Sequence, residues 1–600
     1  AGLAQGSLVE SPALDATSRE VAYRAACDAA LKLGPGRHNV GLEVTVGPTP
    51  TATPDAPAVP LDGWSLAEEL LAVDLTERED AEPPAASGHA IEARLSAADA
   101  PDGAQLLYLR LPQGPGVHVV ESAAVGGVVG SDVVLRIVAH GHDRATALAR
   151  LHRALSDCAV VVADSATNRP ALLAAVAAEM AGSPVRPRAS DPVAVLVSAV
   201  RASDSQRDTQ RAAFHARAAR GRPEPVDAAG VSTHLDYDGQ QYSLHVFQTG
   251  PRTYRIDTGD ALAEVAISRV NDFEWTVTAA GRDRHVVITS HANGCLLELD
   301  GIAHRVDRDE GTAVRAQWPG LIVSVAVTPG QDVAEGDPLV VSEAMKMEST
   351  LRAPFAGTIT SVEVLPNEQV HSGAPLVLIR PESNGQAQST LGRTKGSRVS
   401  FDGMALPETS GRPRFERVYD ALRGYLLGYE LDPAALSALL DEQHSFATRT
   451  SAGDTRLLTA EDDFLDLFAD LGLLWRSERD SGAQSEQGVT TAREQILSYI
   501  QWLDPDRAGL PAQMRRRLAK VLAHYGVTDL RRNPGLEQAV VLLFGSQERR
   551  MQLAGVVTSI LERRLRYRDL ILPFVDDSTR TRYDRLTASS HDHPEYVADL

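Results

Sequence analysis

The sequence predicts a multidomain chain: an α+β N-terminal piece, an antiparallel β module, a flattened β-barrel with an internal two-fold repeat, and an α-helical C-terminal domain. The length of 600 residues exceeds a single domain, for which about 100–200 residues is typical. Hydrophobic periodicity changes along the chain from a mixed pattern to two-residue alternation and then to helical spacing. A repeat at an offset of 37 residues marks the flattened barrel.

Composition and charge exclude several classes of protein. Lys and Arg total 59 against 80 Asp and Glu, a net charge of −21 with a pI near 5.3, so nucleic acid is not expected as a partner. No apolar run approaches the roughly 18 residues of a membrane span, and the first residues lack a basic and apolar leader, so we expect a cytoplasmic protein that does not bind membranes. The cysteines lie far apart and His591-Asp592-His593 stands on a polar tail, so no metal site is predicted.

Lysine is scarce in this chain, since arginine supplies almost all of the positive charge. The lysines are Lys32, Lys346, Lys395 and Lys520. Chemistry that needs a lysine amine therefore has few possible positions.

Changes in composition predict the domain boundaries. Residues 1–185 combine strand and helix patterns, except that 35–87 is rich in Pro, Thr, Ala and Gly and is predicted to be degenerate or a linker. The Ala-, Arg- and Ser-rich segment 186–228 is predicted as a linker that is helix-prone over 190–225. The remaining regions are a β coupling domain at 229–312, the flattened barrel at 313–382, a polar linker at 383–410 and a helical domain at 411–600.

The repeat lies in the flattened barrel. Residues 37 positions apart are identical at Gly320 and Gly357, Ile322 and Ile359, Ser324 and Ser361, Val325 and Val362, Val327 and Val364, Pro329 and Pro366, Val333 and Val370, Gly336 and Gly373, Pro338 and Pro375, and Leu339 and Leu376. Each half reads as strands punctuated by glycine, so two similar β layers are expected to pack face to face. The halves are joined at Glu343-Ala344-Met345-Lys346-Met347, where a tight hairpin would carry Lys346 at its tip.

The repeat changes how Lys346 is interpreted. An isolated Met-Lys-Met is consistent with a plain surface turn whose methionines lie along apolar surface. At the midpoint of a two-fold repeat, the lysine is placed to carry a cofactor through an amide, which requires a primary amine on a flexible stem. Arginine cannot replace it, because the guanidinium group is effectively never neutral.

These residues resemble the biotinyl domain of biotin-dependent carboxylases, in which Ala/Val-Met-Lys-Met marks the biotinylated lysine and a Pro/Gly motif opens each half. The motifs here are Trp318-Pro319-Gly320 and Ala353-Pro354-Phe355-Ala356-Gly357. The resemblance implies biotin bound covalently to Lys346, and the cofactor-binding positions it implies beside the lysine are Glu343, Ala344, Met345 and Met347. Lipoyl domains share the folded repeat but usually carry Asp-Lys-Ala at the tip, so the two methionines favour biotin.

The N-terminal piece resembles the carboxy-terminal part of a biotin carboxylase domain. The matching segments are Ser11-Pro12-Ala13-Leu14-Asp15, Gly88-His89-Ala90-Ile91-Glu92-Ala93-Arg94-Leu95, Gly114-Pro115-Gly116-Val117, Ala139-His140-Gly141, Asp143-Arg144-Ala145 and Thr167-Asn168. The resemblance implies that Arg94 lines a biotin-carboxylation site, the alternative being a strand arginine in a structural ion pair. No phosphate loop, phosphate-binding lysines or Mg²⁺ carboxylates are readable here, so the region is expected to be truncated or degenerate.

The region after residue 410 resembles the helical central segment of large single-chain acyl-CoA carboxylases. The residues that carry this resemblance are Arg417-Val418-Tyr419-Asp420-Ala421-Leu422, Gly428-Tyr429 and His524-Tyr525-Gly526-Val527. The β module at 229–312 takes the place of a transferase-coupling domain by its position in the chain.

Together the resemblances imply the middle section of a biotin-dependent acyl-CoA carboxylase, a ligase of the acetyl-CoA or propionyl-CoA type in fatty acid biosynthesis. As a swinging domain, the carrier would take CO₂ on Lys346 between biotin carboxylase and carboxyltransferase domains or subunits. ATP, Mg²⁺, bicarbonate and acyl-CoA are implied only for the complete enzyme, with biotin protein ligase as a partner and a homo-oligomeric assembly. The alternatives are a carrier section of pyruvate carboxylase or of a biotin-dependent decarboxylase, a lipoyl-type carrier, or a non-catalytic scaffold.

Overall fold

The computed structural model describes the parts of the chain that position the candidate site. The described residues are 8–10, 38–39, 42–45, 51–54, 59–60, 89–97, 100–129, 133–184, 190–221, 223, 230–291, 294–308, 312–328, 330–344, 347–362, 364, 368–370, 374–381, 398–404, 413–446, 453–476 and 491–590. The chain divides into two compact units, 1–188 with 301–303 and 189–300 with 304–600.

In its described residues, the first unit has an antiparallel main sheet with two packed helices. In chain order its elements are β1 (Leu8–Glu10), β2 (His38–Asn39), β3 (Leu42–Thr45), β4 (Thr51–Pro54), β5 (Val59–Pro60), β6 (His89–Ser96), β7 (Leu106–Arg110), β8 (Val117–Glu121), β9 (Val133–Gly141), α1 (Arg144–Asp157), β10 (Ala159–Val162) and α2 (Arg169–Ala181). The main sheet has the order β1-β6-β9-β8, and β7 pairs with β10. Helix α1 begins at Asp143, whose side chain accepts a hydrogen bond from the Thr146 amide at 2.7 Å, and buries its apolar side in the core of this unit.

The stretch 35–87 was predicted to be degenerate or a linker, yet it contains strands. β3 pairs antiparallel with β4, and β2 with β5. Pro54 and Pro60 end two of these strands. Proline lacks the N–H that a ladder needs, which is consistent with such short pairs.

The second unit begins with a long helix and a closed antiparallel barrel. Its elements are α3 (Pro192–Ala218), β11 (Val231–Tyr237), β12 (Gln240–Gln248), β13 (Thr253–Asp257), β14 (Leu262–Arg269), β15 (Glu274–Ala279), β16 (Arg282–His291), β17 (Gly294–Leu299) and β18 (Ile302–Arg308). Strands β11 to β18 close the barrel in sequence order. The first half of α3, Val193 to Val200, is buried in one core with barrel residues such as Tyr237 and Trp275.

The predicted linker at 186–228 is therefore corrected, because most of it is α3. The segment Val193-Ala194-Val195-Leu196-Val197 is apolar on every side, and a helix that is apolar all round has to be buried. The second half carries arginines, while Phe214 and Ala218 at its end join the core of the helical region. One helix thus takes part in two cores.

The flattened barrel follows as two facing four-stranded sheets. Its strands are β19 (Thr312–Arg315), β20 (Gly320–Val325), β21 (Asp332–Val333), β22 (Pro338–Ala344), β23 (Met347–Arg352), β24 (Gly357–Val362), β25 (Gln369–Val370) and β26 (Pro375–Pro381). The sheet orders are β19-β26-β24-β21 and β23-β22-β20-β25. Buried residues from both repeats, including Ile322 and Ile359, form the core.

The helical region packs around one large apolar core. Its elements are α4 (Arg414–Leu426), α5 (Pro433–Ser445), α6 (Thr455–Trp475), α7 (Ala492–Trp502), α8 (Ala512–Ala523), α9 (Pro534–Gln552), α10 (Ala554–Arg566), α11 (Arg568–Ile571), a 3₁₀ turn at Leu572–Phe574 and α12 (Asp577–Ser590). On α6, the buried Glu461 accepts hydrogen bonds from Arg563 at 2.5 Å and Arg564 at 3.0 Å. The ion pairs satisfy a carboxylate that burial alone would destabilise.

Part of the predicted linker at 383–410 is also corrected. Residues 398–404 pack on the barrel, where the buried Phe401 lies edge-on to Tyr242 with ring centroids 5.8 Å apart. The Glu264 amide donates to the Met404 carbonyl at 2.9 Å. Val399 and Met404 pack against the same core, so apolar side chains anchor this part of a polar stretch.

Candidate carrier site

The hydrogen bonds of the flattened barrel repeat at the 37-residue offset. The Ala316 amide donates to the Ala374 carbonyl at 2.9 Å, and in the other half the Ala353 amide donates to the Asp337 carbonyl at 2.8 Å. Likewise, the Ile322 amide donates to the Glu368 carbonyl at 2.8 Å, and the Ile359 amide donates to the Gln331 carbonyl at 2.8 Å. Strand pairs obey the same relation, with Gly320 opposite Val370 and Gly357 opposite Val333. The two halves therefore share one backbone plan.

The hairpin of β22 and β23 occupies the junction between the halves. These strands are antiparallel, and their last paired residues are Ala344 and Met347. Met345 and Lys346, which stand between them in the sequence, lie outside the described residues. Met347 is 74% exposed, so the described part of the tip faces solvent.

Close backbone packing and two acids surround this end of the hairpin. A Cβ on Gly320 would lie 2.5 Å from the Glu343 carbonyl oxygen, so only glycine allows β20 to approach β22 this closely. Glu343 and Glu348 are directly opposite each other on β22 and β23. Like charges at such positions destabilise a strand pair, so these acids do not stabilise the hairpin.

The residue types at the tip fit a group attached through an amide. The described strands end in a hairpin, the sequence between them supplies a primary amine, and the neighbouring Met347 side chain is open to solvent. Neither Glu343 nor Met347 is buried. The arrangement is suited to carrying a tethered group.

Arg94 lies in the first unit, on β6. Its Nε donates to Glu92 Oε1 at 3.1 Å, and its carbonyl accepts from Asn168 Nδ2 at 3.0 Å. Arg94 thus forms an ion pair with Glu92, which is the structural role expected of a strand arginine that does not line a biotin-carboxylation site. Its carboxylation role stays a prediction.

Sequence reasoning missed a polar cavity of about 160 Å³ between α3, the barrel and the helical region. Side chains lining it include Asp204, Arg207, Tyr254, Arg269, Glu430 and Arg549. Asp204 accepts hydrogen bonds from the Tyr254 hydroxyl at 3.1 Å and from Arg269. Burial raises the pKa of the Asp204 carboxyl, although the two arginines oppose the shift. The acidic and basic side chains around the cavity pair with one another, so the cavity marks a place where α3, the barrel and the helical region are joined. No sequence motif reveals it.

The described residues contain neither a metal-ligating cluster nor a membrane-spanning helix. No group of three or more His, Cys, Asp or Glu in this part of the chain is placed to hold a metal ion. None of the helices described is long and apolar enough to cross a membrane. His591-Asp592-His593 lies outside the described residues.

Comparison with known proteins identifies the flattened barrel. Residues 309–379 match the family model described as biotin-requiring enzyme. This module is a domain of the biotin-requiring enzyme type. The predicted resemblance to a biotin-dependent carboxylase section is confirmed, and the boundaries predicted for the carrier domain, 313–382, overlap the match closely.

Relatives of the carrier domain include the mitochondrial propionyl-CoA carboxylase alpha chains of Homo sapiens and Rattus norvegicus. Each is 43% identical over 47 residues, which is 8% of this chain and 6% of the relative. The solved structure of a single-chain, multi-domain long-chain acyl-CoA carboxylase is 18% identical, covers 64% of this chain and 32% of that chain, and gives a TM-score of 0.22. The chain therefore spans a small part of the curated relatives that it matches.

Proposed function

We propose that this chain is the carrier and scaffold section of an acyl-CoA carboxylase of the acetyl-CoA or propionyl-CoA type, with biotin attached to Lys346. The observation that carries the proposal is the β22–β23 hairpin, whose paired ends Ala344 and Met347 bracket the Met345-Lys346 dipeptide at the centre of the repeat. The carrier-domain match and the relatedness to propionyl-CoA carboxylase alpha chains support it.

The chemistry that biotin supplies when bound is reversible attachment of CO₂ at a ring nitrogen. This chain supplies the attachment amine, that of Lys346, in the sequence between the paired ends Ala344 and Met347. A tethered carrier meets two active sites at an effective concentration of about millimolar order, provided that its connections span the gap. In the complete enzyme, a biotin carboxylase site that uses ATP, Mg²⁺ and bicarbonate would load the carrier, and a carboxyltransferase site would pass CO₂ to the acyl-CoA.

The remaining regions would serve as the scaffold. Helix α3 lies in the barrel core through Val193–Val200 and reaches the helical core through Phe214. Glu430 in the loop after α4 accepts a hydrogen bond from the Gln248 amide of β12 at 2.8 Å. The barrel and the helical region are thus joined by packing and by hydrogen bonds, as a scaffold requires.

Biotin attachment is tested by expressing the chain with a biotin protein ligase. We expect avidin to capture the wild-type chain, intact mass to show one added biotinyl group, and peptide mapping to place it on Lys346. Lys346→Arg should abolish capture, because a guanidinium does not form the amide. Lys395→Arg is the matched control and should be captured like the wild type.

The same samples separate the alternatives. A wild-type chain that gains no biotin but accepts a lipoyl group would show a lipoyl carrier. A chain that gains neither would refute the proposal in favour of a scaffold. With the full-length protein, the acyl-CoA class is measured by fixation of labelled bicarbonate on acetyl-CoA and propionyl-CoA, and fixation on pyruvate alone would refute the acyl-CoA assignment.

A further inference from the structure

An apolar segment of the helical region is exposed between the last turn of α10 and the start of α12. Its exposed side chains are those of Leu565, Leu570, Leu572, Pro573, Phe574 and Val575. Leu572 is 68% exposed, and no residue of the 3₁₀ turn that it opens is buried. None of these side chains belongs to the large apolar core that the described helices form. Single exposed apolar residues are ordinary on a surface, whereas a contiguous group of them marks an interaction site.

The backbone of this segment is held in a defined conformation. The Val575 amide donates to the Leu572 carbonyl at 3.2 Å. Directly after it, the Asp576 carboxylate accepts a hydrogen bond from the Thr579 amide at 2.9 Å, where α12 begins. Ile571 is buried and anchors the segment from below. A partner would therefore meet a surface that is already ordered, which lowers the entropic cost of association.

Charged residues flank the apolar segment in a fixed order. The residues of this kind are Arg566, Arg568 and Asp569 before it, and Asp576, Asp577 and Arg580 after it. The first group carries a net positive charge and the second a net negative charge. Arg568 pairs with Asp569 at 3.6 Å, but both side chains are largely exposed, so this ion pair adds little stability and leaves the arginine available to a partner. Helix α11 and the 3₁₀ turn together extend about 12 Å, which separates the two charged groups along the segment.

The order basic, apolar, acidic is complementary to a second copy of the same segment. In a contact with two-fold symmetry, both copies use the same patch, and each residue meets its counterpart's partner in both directions. If two segments lie antiparallel across such an axis, their apolar centres meet and each basic end faces an acidic end. A patch of one sign would repel its own copy. The net charge of −21 and the aspartates of the patch disfavour an anionic membrane as the partner.

We propose that residues 565–577 form an interface through which two copies of this chain associate about a two-fold axis, with Arg568 of one copy facing Asp577 of the other. The apolar side chains form the centre of the contact and the charged groups form its rim, which is the usual arrangement of a protein interface. This inference goes beyond the proposed function, because it requires neither biotin nor Lys346.

The apolar centre is tested by sedimentation velocity on the intact chain. Leu572→Asp should weaken self-association about tenfold or more, because it places a charge at the centre of the contact. Val270→Asp is the matched control, since Val270 lies in the turn after β14 and is 69% exposed, and it should leave association unchanged. Both positions are on the surface, so both variants should unfold at the urea concentration of the wild type.

The antiparallel arrangement is tested by charge reversal. Arg568→Glu alone and Asp577→Arg alone should each weaken self-association, because like charges then meet at both ends of the contact. An equimolar mixture of these two variants should associate as the wild type does, since opposite charges face each other again at both ends. A chain that carries both substitutions should also associate. Urea titration of each variant checks that its fold is retained.

The outcomes decide the proposal. A wild-type chain that stays monomeric at about 0.1 mM overturns it, as does self-association that Leu572→Asp leaves unchanged. If the mixture of the two charge variants stays dissociated, the antiparallel contact is wrong. If the wild type binds lipid vesicles through Leu572 without associating with itself, the segment is a membrane surface and the proposal is refuted. Failure of biotin attachment to Lys346 would refute the proposed function and leave this interface untouched.

Discussion

Replacing Arg207 and Glu430 by glutamine, singly and together, measures how firmly the barrel and α3 hold the helical region. Arg207 donates to both carboxylate oxygens of Glu430, from Nη2 at 2.6 Å and from Nε at 3.3 Å. The two side chains are 15% and 10% exposed. The contribution of this pair to stability should therefore lie between two cases. An exposed ion pair contributes about 0–1 kcal/mol, and disruption of a buried ion pair costs about 3–5 kcal/mol.

We expect each single replacement to lower the free energy of local opening by about 2–3 kcal/mol, with a coupling energy of about 1–2 kcal/mol in the double-mutant cycle. The reporters are the amides that join the two regions, Gln248 N to Glu430 Oε2 and Glu430 N to Gln248 O, both at 2.8 Å. Their hydrogen-exchange protection should fall about 30- to 150-fold in each single variant, since about 1.4 kcal/mol is tenfold.

A matched control is Arg531→Gln. Arg531 pairs with Asp506 at 3.4 Å, and both of these side chains are largely exposed. We expect a change of at most about 0.5 kcal/mol in its free energy of unfolding, measured by urea denaturation. Fully additive effects at Arg207 and Glu430, or unchanged protection of the two reporter amides, would refute the reasoning.

Three further variants test the helical region. Gly428 has φ 100°, and a Cβ there would lie 2.5 Å from the Leu542 carbonyl oxygen, so Gly428→Ala should lower the unfolding free energy by about 2–4 kcal/mol. Gly526→Ala, at φ 75° with no atom within 4 Å of the new Cβ, should cost about 1 kcal/mol in the same urea titration, and equal losses would contradict the clash. Hydrogen bonds from Ser578 and Thr579 lower the pKa of Asp576 to about 2. The ionised Asp576 carboxylate therefore stabilises the fold fully above the unfolded pKa of about 4, and this stabilisation is lost as pH falls through the folded pKa. The melting temperature of Asp576→Asn should be below that of the wild type at pH 7, and the two melting temperatures should converge near pH 2. A gap that is independent of pH would disprove this assignment.

The carrier domain could be predicted from sequence because its information is local and repeated. Glycine and proline punctuate each half, and the spacing of 37 residues places Gly320 and Gly357 at the starts of the equivalent strands β20 and β24. Strand register within such a repeat follows from the alternation of core residues, which fixes the face that each side chain occupies. The position of the hairpin in the chain therefore follows from the repeat in the sequence.

The burial of helix α3 could not be predicted in the same way, because it depends on two distant regions. Val193–Val200 is buried by strands that follow it in the sequence, and Phe214 by helices several hundred residues away. Arg207, between these segments, is charged like a linker residue but meets Glu430 across 223 positions. Composition reports which residues can be buried, whereas only tertiary structure decides which neighbours bury them.

Arginine and lysine have different roles in the scaffold and at the carrier site. The junction ion pairs use Arg207 and Arg269, since a planar guanidinium can bond both oxygens of a carboxylate. Lys520, a lysine in the described part of the chain, is held by Asp470 at 2.9 Å. Cationic structural roles are given mainly to arginine, so under the proposed function a ligase that requires a primary amine would meet few competing lysines beside Lys346. Specificity depends on differences between sites, so scarcity of lysine strengthens selection of the hairpin without any added contact there.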